Sequence, residues 1–150
     1  MQDPYLIWQL EHQHEILLKI VSDENSQSKE NDNKWTVREI ICHLGAYQEH
    51  FSKRIDNILL QDNPKFDRYK ADDDPNFSVW KEKVFADIIS HYFAHREKLN
   101  NFLSTLNKDQ LNRTANHPLY GDMKMTDWIQ FFILHENHHI FSIFRSIKVN

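Results

Sequence analysis

The chain has 150 residues, which fits one domain spanning residues 1–150 and is long enough to bury a hydrophobic core. Of these residues 40% are hydrophobic, while only two are glycine and four are proline, so the composition disfavours both a disordered chain and a sheet with many turns. The formal charge of −4 is spread along the chain without a run of basic residues, so we expect no nucleic-acid partner.

Nothing in the sequence indicates a membrane or an oxidising compartment. The longest apolar run falls well short of the ~18 residues that a spanning helix needs. The first twenty residues are too polar for a signal peptide, and the single Cys42 cannot form an internal disulfide. We therefore expect a soluble, cytoplasmic protein.

Apolar residues recur at steps of three and four in four segments, which predicts four helices. The first helix covers residues 4–21 and ends before a polar loop at 22–33. The second begins at Thr36, because Thr36-Val37-Arg38-Glu39 has the form of a capping box, in which the threonine and the glutamate satisfy each other's backbone amides. It continues to about residue 60, and Gly45 inside it is expected to allow a close helix contact.

A long polar connection separates the second helix from the third. It covers residues 61–77 and contains two prolines and three consecutive aspartates. The third helix follows over residues 78–106, with a stripe predicted to be buried that includes His95 and Phe102. At ~3.3 Å per residue the connection reaches roughly 55 Å, more than the ~37 Å length of a 25-residue helix, so it can cross the bundle lengthwise.

The fourth helix is the most apolar segment of the chain. It follows a turn over residues 107–124, has Thr126 as its cap and runs to about residue 146. The long crossover can make helices two and three parallel and helices two and four antiparallel, one allowed topology among a few. The predicted fold class is therefore all-α, a four-helix bundle with a long crossover between helices 2 and 3.

Histidines on two of these helices indicate a metal site. His135 and His139 are four residues apart, so both side chains rise from one helix face about 5–6 Å apart and can chelate one ion. His43 lies about two turns from the start of its helix and His139 about two turns from the end of its own, so antiparallel packing brings all three to one level. A second interpretation, in which these residues are hydrogen-bonded histidines of the core, stays open. Ten histidines produce about 0.7 such pairs by chance, and His91 and His95 form another.

A set of short motifs extends over nearly the whole chain. In order they are Trp35-Thr36, His43-Leu44, Arg54-Ile55, His117-Pro118-x-x-Gly121, Thr126 and His135-Glu136-x-x-His139. Their order and spacing resemble the DinB/YfiT-like superfamily of metal-binding four-helix bundle proteins. The resemblance implies that one divalent metal ion, which is zinc, nickel or manganese, binds to His43, His135 and His139.

The same resemblance implies an activity. Members of this superfamily include thiol S-transferases that use low-molecular-weight thiols, maleylpyruvate-type isomerases and hydrolases. We therefore expect a metal-dependent enzyme acting on a small molecule, of the thiol transferase or hydrolase type, with three histidines and a water molecule around the ion. No catalytic side chain is assigned, although Glu136 and Tyr47 are candidates for an acid or base. The alternatives are a non-catalytic, stress-linked protein that binds metal or a small molecule, and a helical interaction module without metal.

Other groupings have simpler explanations. Two Glu-x-x-His motifs, ending at His14 and His139, would suit a di-iron site, but the glutamates of the second and third helices fall off the apolar stripes. His95 is predicted to be a core histidine, and Cys42 a small buried residue without a chemical role. The three consecutive aspartates lack the spacing of a calcium loop. The tryptophans are expected to anchor the core and the helix starts: Trp8, Trp35, Trp80 and Trp128.

The fourth helix has more apolar residues than one buried stripe needs. They surround more than one of its faces: Phe131, Phe132, Ile133, Leu134, Ile140, Phe141, Ile143 and Phe144. The surplus predicts a second apolar contact, and a symmetric homodimer is the commonest way to bury it.

Overall fold

Helices and one short hairpin form the described part of the chain, residues 3–149 of a computed structural model. The first predicted helix is α1 (Pro4–His12), a 3₁₀ turn (Gln13–Ile16) and α2 (Leu17–Ile20) in succession. The elements that follow are α3 (Val37–Leu60), a 3₁₀ turn (Ala71–Asp73), α4 (Pro75–Lys81), α5 (Phe85–Ser104), α6 (Lys108–Asn112), β1 (Thr114–His117), β2 (Gly121–Lys124) and α7 (Met125–Lys148). No helix within the described residues is long and apolar enough to cross a membrane.

The capping box fixes the start of α3. The backbone N–H of Thr36 donates to Oε2 of Glu39 at 2.9 Å, and the backbone N–H of Glu39 donates to Oγ1 of Thr36 at 3.1 Å. Two of the orphan amides at the helix end are therefore satisfied. The predicted start of this helix is confirmed, and so is its end at residue 60.

Two clusters of buried side chains define the direction of each helix. In one cluster, Val37 at the start of α3 packs with Ile88 near the start of α5 and Ile143 near the end of α7. In the other, residues from the end of α3 pack with Leu103 near the end of α5 and Trp128 near the start of α7. Helix α3 is therefore parallel to α5 and antiparallel to α7. The four-helix bundle with a long crossover is confirmed.

The predicted third helix is two helices. Asp74 caps α4, because its Oδ1 accepts the backbone N–H of Asn76 at 2.9 Å, and α5 begins separately at Phe85. The buried face of α5 departs from the predicted stripe at two positions. Arg96 and Leu103 are fully buried, whereas His95 and Phe102 are partly exposed. The prediction that His95 is a core histidine is therefore wrong.

The turn predicted before the fourth helix contains regular structure. Helix α6 leads into the antiparallel pair β1 and β2, in which His117 lies opposite Gly121. Gly121 has a φ of 72°, a conformation that suits glycine. The next helix begins two residues earlier than expected, because the carboxylate of Asp127 accepts the backbone N–H of Lys124 at 2.9 Å. Lys124 is therefore the N-cap, and the prediction of Thr126 is wrong.

Gly45 allows the close contact that its position predicts. A methyl group at this site would lie 2.5 Å from Cζ3 of Trp80, a buried residue of α4. Gly45→Ala should therefore lower the free energy of unfolding by up to about 2 kcal/mol, because overpacking costs about 1–3 kcal/mol against a gain in helix propensity of about 1 kcal/mol. Urea unfolding followed by circular dichroism measures the change.

A matched substitution separates packing from backbone effects. Gly121→Ala meets no atom within 4 Å and costs only what its positive φ imposes. The cost of Gly45→Ala should therefore be smaller in a Trp80→Leu background than in the wild type, whereas the cost of Gly121→Ala should be the same in both. An equal change in the two costs would contradict the packing argument.

Candidate metal centre

Three histidine side chains from α3 and α7 converge on one point. Nε2 of His43 lies 3.2 Å from Nε2 of His135 and 3.1 Å from Nε2 of His139. His135 and His139 face the same way because they are one helical turn apart, and the antiparallel packing of α3 and α7 places His43 at their level. The sequence-predicted residues therefore come together as the topology requires.

The distances from Nε2 of His43 to the other two Nε2 atoms fit one divalent ion. Two nitrogens bound at about 2.0–2.1 Å to a tetrahedral ion lie about 3.3–3.4 Å apart, close to the separations found here. The Nδ1 atoms of His43 and His135 are buried and have no hydrogen-bond partner within residues 3–149. Nε2 is therefore the atom of each of these two rings that remains to bind a polar partner. Among the His, Cys, Asp and Glu side chains of the described part of the chain, these three histidines form the group with the geometry to hold a metal.

Burial keeps all three imidazoles uncharged at neutral pH. It lowers the pKa of His43 to about 4, that of His139 to about 3 and that of His135 to about 2. The neighbouring histidines lower the pKa of His135 and His139 further, although less than burial does. The neutral ring is the form whose nitrogen lone pair binds a metal, so the site is preorganised for ligation without loss of protons.

Aromatic side chains enclose the triad. Ring centroids lie 5.0 Å apart for Trp35 and His43, 4.0 Å for Tyr47 and His135, and 5.8 Å for Tyr69 and His43. Burial raises the pKa of the Tyr47 hydroxyl to about 12, so this group stays protonated at neutral pH. Two cavities open onto the triad, one of about 460 Å³ beside His135 and one of about 320 Å³ beside His139.

A buried ion pair fixes the rotation of α7. Glu136 follows His135 directly and is 1% exposed. Its carboxylate accepts hydrogen bonds from the guanidinium of Arg96 and from the hydroxyl of Tyr92, and Nε2 of Gln13 donates to it at 2.5 Å. Because these donors occupy both carboxylate oxygens, Glu136 is not free to act as an acid or base. Its contacts instead hold His135 and its neighbours on the face toward α3.

The burial of other residues distinguishes between the alternative roles that their sequence patterns allowed. Glu11 of the first Glu-x-x-His motif is exposed, which removes one carboxylate that a di-iron site would need. Cys42 is fully buried, and burial raises the pKa of its thiol to about 11, which suits a packing role. Trp8 is 56% exposed, so its prediction as a core anchor is wrong. Trp80 and Trp128 are buried as predicted.

Two buried arginines were not predicted as parts of the site: Arg96 was not considered, and Arg54 was named only within a short motif. Arg96 was overlooked because its partner is 40 residues away in the chain. Arg54 lies on the buried face of α3, three residues after Phe51, and an arginine on an apolar stripe was a signal that could have been used. Trp35 was expected only to anchor a helix start, yet it also packs against His43.

The sequence matches a known protein family and is similar to individual proteins of Bacillus species. It matches the family model of the DinB superfamily over residues 8–142. A Bacillus cereus (strain 03BB102) protein named "Putative metal-dependent hydrolase" is 27% identical over 105 residues, which are 70% of this chain and 60% of that protein. The chain therefore spans 60% of the length of that relative. YuaE of Bacillus subtilis (strain 168) is 24% identical over 139 residues, covering 82% of this chain and 83% of YuaE.

Two solved structures from Bacillus subtilis have the same fold. YfiT, described as "a probable metal-dependent hydrolase with an unusual four-helix bundle topology", superposes with a TM-score of 0.75 and 19% identity over 96% of this chain and 85% of YfiT. The DinB-like protein YjoA superposes with a TM-score of 0.62 and 17% identity over 96% of this chain and 90% of YjoA. At these identities the likeness concerns the fold.

Proposed function

Because this chain belongs to the DinB superfamily, we propose that it is a cytoplasmic, metal-dependent enzyme acting on a small molecule. The observation that supports the proposal is the convergence of the Nε2 atoms of His43, His135 and His139 within metal-chelating distance. These three residues would hold one divalent ion. Imidazole ligands suit zinc and nickel best, and manganese is the third candidate.

Three neutral ligands leave room at a tetrahedral ion for a substrate atom or water. A bound ion would supply Lewis-acid chemistry, lowering the pKa of a water or thiol and polarising a carbonyl. The residues of the chain have the other tasks. Tyr47 and Trp35 exclude bulk water from the triad, and the protonated Tyr47 hydroxyl is available as a hydrogen-bond donor in the cavity beside His135.

Hydrolysis of an ester or amide is the first reaction class, in keeping with the names of the relatives. Transfer of a low-molecular-weight thiol is the second, and one observation favours it. Glu136, the carboxylate next to His135, is paired with Arg96 and cannot serve as the base that water attack commonly uses. A thiol needs less assistance, because its own pKa of about 8.5 is already close to neutral.

Parallel assays on metal-replete protein distinguish these classes. One panel contains aryl esters and amides, and the other contains electrophiles offered with cysteine or another small thiol. Turnover in one panel, with loss in His43→Ala, His135→Ala and His139→Ala, selects the reaction class. Turnover that is unchanged in all three variants would contradict the proposal. Full metal occupancy without turnover in either panel would instead support the non-catalytic binding protein.

A homodimer through α7 is part of this proposal. Much of the apolar surplus on this helix is buried within the chain, but Leu134, Phe141 and Phe144 are exposed, and Phe141 is 58% exposed. Spacings of seven and three residues place these three side chains on one face. Light scattering at micromolar concentration should give the mass of a dimer, and Phe141→Glu should convert it to a monomer.

The control for the dimer is an exposed apolar residue at another place. Leu60 at the end of α3 is highly exposed, and Leu60→Glu should leave the dimer intact. A wild-type protein that is monomeric at these concentrations would reject the dimer, and equal effects of both substitutions would reject α7 as its interface.

A further inference from the structure

Arg54 is a buried cation without a carboxylate partner. It is 5% exposed, and its Nη2 donates to the backbone carbonyl of Asp67 at 2.7 Å. Its guanidinium carbon lies 5.2 Å from the ring centroid of Phe66 and 5.3 Å from that of Trp128. Within residues 3–149, no carboxylate oxygen lies within 4.0 Å of its nitrogens. A charge buried in this way is costly, and a bound anion would compensate it.

The cavity of about 460 Å³ brings Arg54 and the triad to one space. Its wall contains Arg54, Arg68 and His135, together with aromatic and apolar side chains and no carboxylate. A neighbouring cavity of about 570 Å³ also contacts both arginines, but aspartates line it and no triad histidine does. The cavity of about 460 Å³ is therefore the one in which positively charged side chains could bind an anion beside the candidate metal site.

His117 adds a hydrogen-bond donor to the same cavity. Its Nδ1 accepts the backbone N–H groups of Leu119 at 3.1 Å and Tyr120 at 3.2 Å. Because Nδ1 accepts both bonds, the ring proton is on Nε2. The ring lines the cavity together with Arg54 and Arg68. Two arginines and His117 thus line a space whose other polar side chains are tyrosines and His135.

We propose that this cavity selects small molecules that have a carboxylate group and an apolar body. The carboxylate is bound by Arg54 and Arg68, since a guanidinium fork matches two carboxylate oxygens. The apolar body packs against Tyr120 and Phe131, and the reactive group then faces His135. The orientation toward His135 rests on the proposed metal-dependent function, whereas the carboxylate site does not require the ion.

Binding of phenylacetate and its neutral analogue phenylacetamide tests the proposal. Calorimetric titrations use the full chain stripped of metal with a chelator, because a carboxylate could otherwise bind the ion itself. Phenylacetate should bind at least tenfold more tightly than phenylacetamide. Arg54→Gln and Arg68→Gln should each remove most of that preference. Arg68 is exposed, so its variant should fold even if the variant of the buried Arg54 does not.

Arg145→Gln is the matched control. Arg145 already has a carboxylate partner, with its Nε 2.9 Å from Oε1 of Glu30, and it does not line this cavity. Its variant should keep the preference for phenylacetate. Equal affinity for acid and amide, or an unchanged preference in Arg68→Gln, would overturn the proposal. Preference for the acid in a protein that binds no metal would leave this inference standing and reject the proposed function.

Discussion

Replacing His135 with alanine is expected to weaken divalent-metal binding by about 100- to 1000-fold. The Nε2 atom of His135 is 3.2 Å from that of His43, and its removal leaves two imidazoles to hold the ion. A four-ligand zinc site gains roughly 10–16 kcal/mol, so one ligand accounts for about 2.5–4 kcal/mol. Competition with a chromogenic chelator measures the affinity, and elemental analysis of the purified protein measures the stoichiometry, which should be about one ion per chain.

The neighbouring histidine supplies the control for this experiment. His138 is exposed, and its ring centroid lies 5.2 Å from that of His139, but it is not part of the triad. His138→Ala should therefore bind metal as the wild type does. Metal at 100 times its dissociation constant should also stabilise the wild type by about 2.7 kcal/mol and His135→Ala much less. Equal affinity in His135→Ala and wild type would contradict the site.

Glu136→Gln should lower the free energy of unfolding by about 3–5 kcal/mol. The substitution keeps the shape of the side chain but removes the charge that compensates Arg96, a fully buried guanidinium. Breaking one member of a buried ion pair leaves the other charge without compensation, which is the source of the loss. Urea unfolding monitored by circular dichroism gives the value, and Arg96→Met should produce a loss of similar size.

An exposed ion pair in the same chain provides the comparison. Arg145 and Glu30 are partly exposed, and Arg145→Gln should cost about 1 kcal/mol or less. The double variant Arg96→Met with Glu136→Leu should recover part of the stability, since it leaves no unpaired charge in the core. If Glu136→Gln were no more costly than Arg145→Gln, the buried pair would not be what holds α7 in place.

Local signals in the sequence predicted the helices and the meeting of the histidines. The capping box at Thr36 involves residues three apart, so its chemistry is fully contained in the sequence. The pair at His135 and His139 depends only on helical periodicity. Placing His43 beside them needed one further step, the length of the crossover, which allowed antiparallel packing of the two helices.

Features that depend on distant residues were not predictable in this way. Burial of Arg96 depends on Glu136 across the bundle, so a single helix stripe favoured the adjacent His95 instead. The strands β1 and β2 have four residues each, too short for an alternating pattern to be recognised. The separate helix α4 did have a local signal, since Asp74 precedes Pro75 as a cap precedes the first helical residue.

The ligand-bearing helices α3 and α7 are separated in the chain by the crossover, α5 and the hairpin, and His43 and His135 are 92 residues apart. An ion held by both would act as a reversible cross-link that closes a loop of this length. Covalent closure of a loop of roughly 100 residues lowers the entropy of the unfolded chain by about 4–5 kcal/mol at 25 °C in the simplest treatment. In a protein whose single cysteine excludes an internal disulfide, the triad is thus placed where a cross-link would constrain most of the bundle.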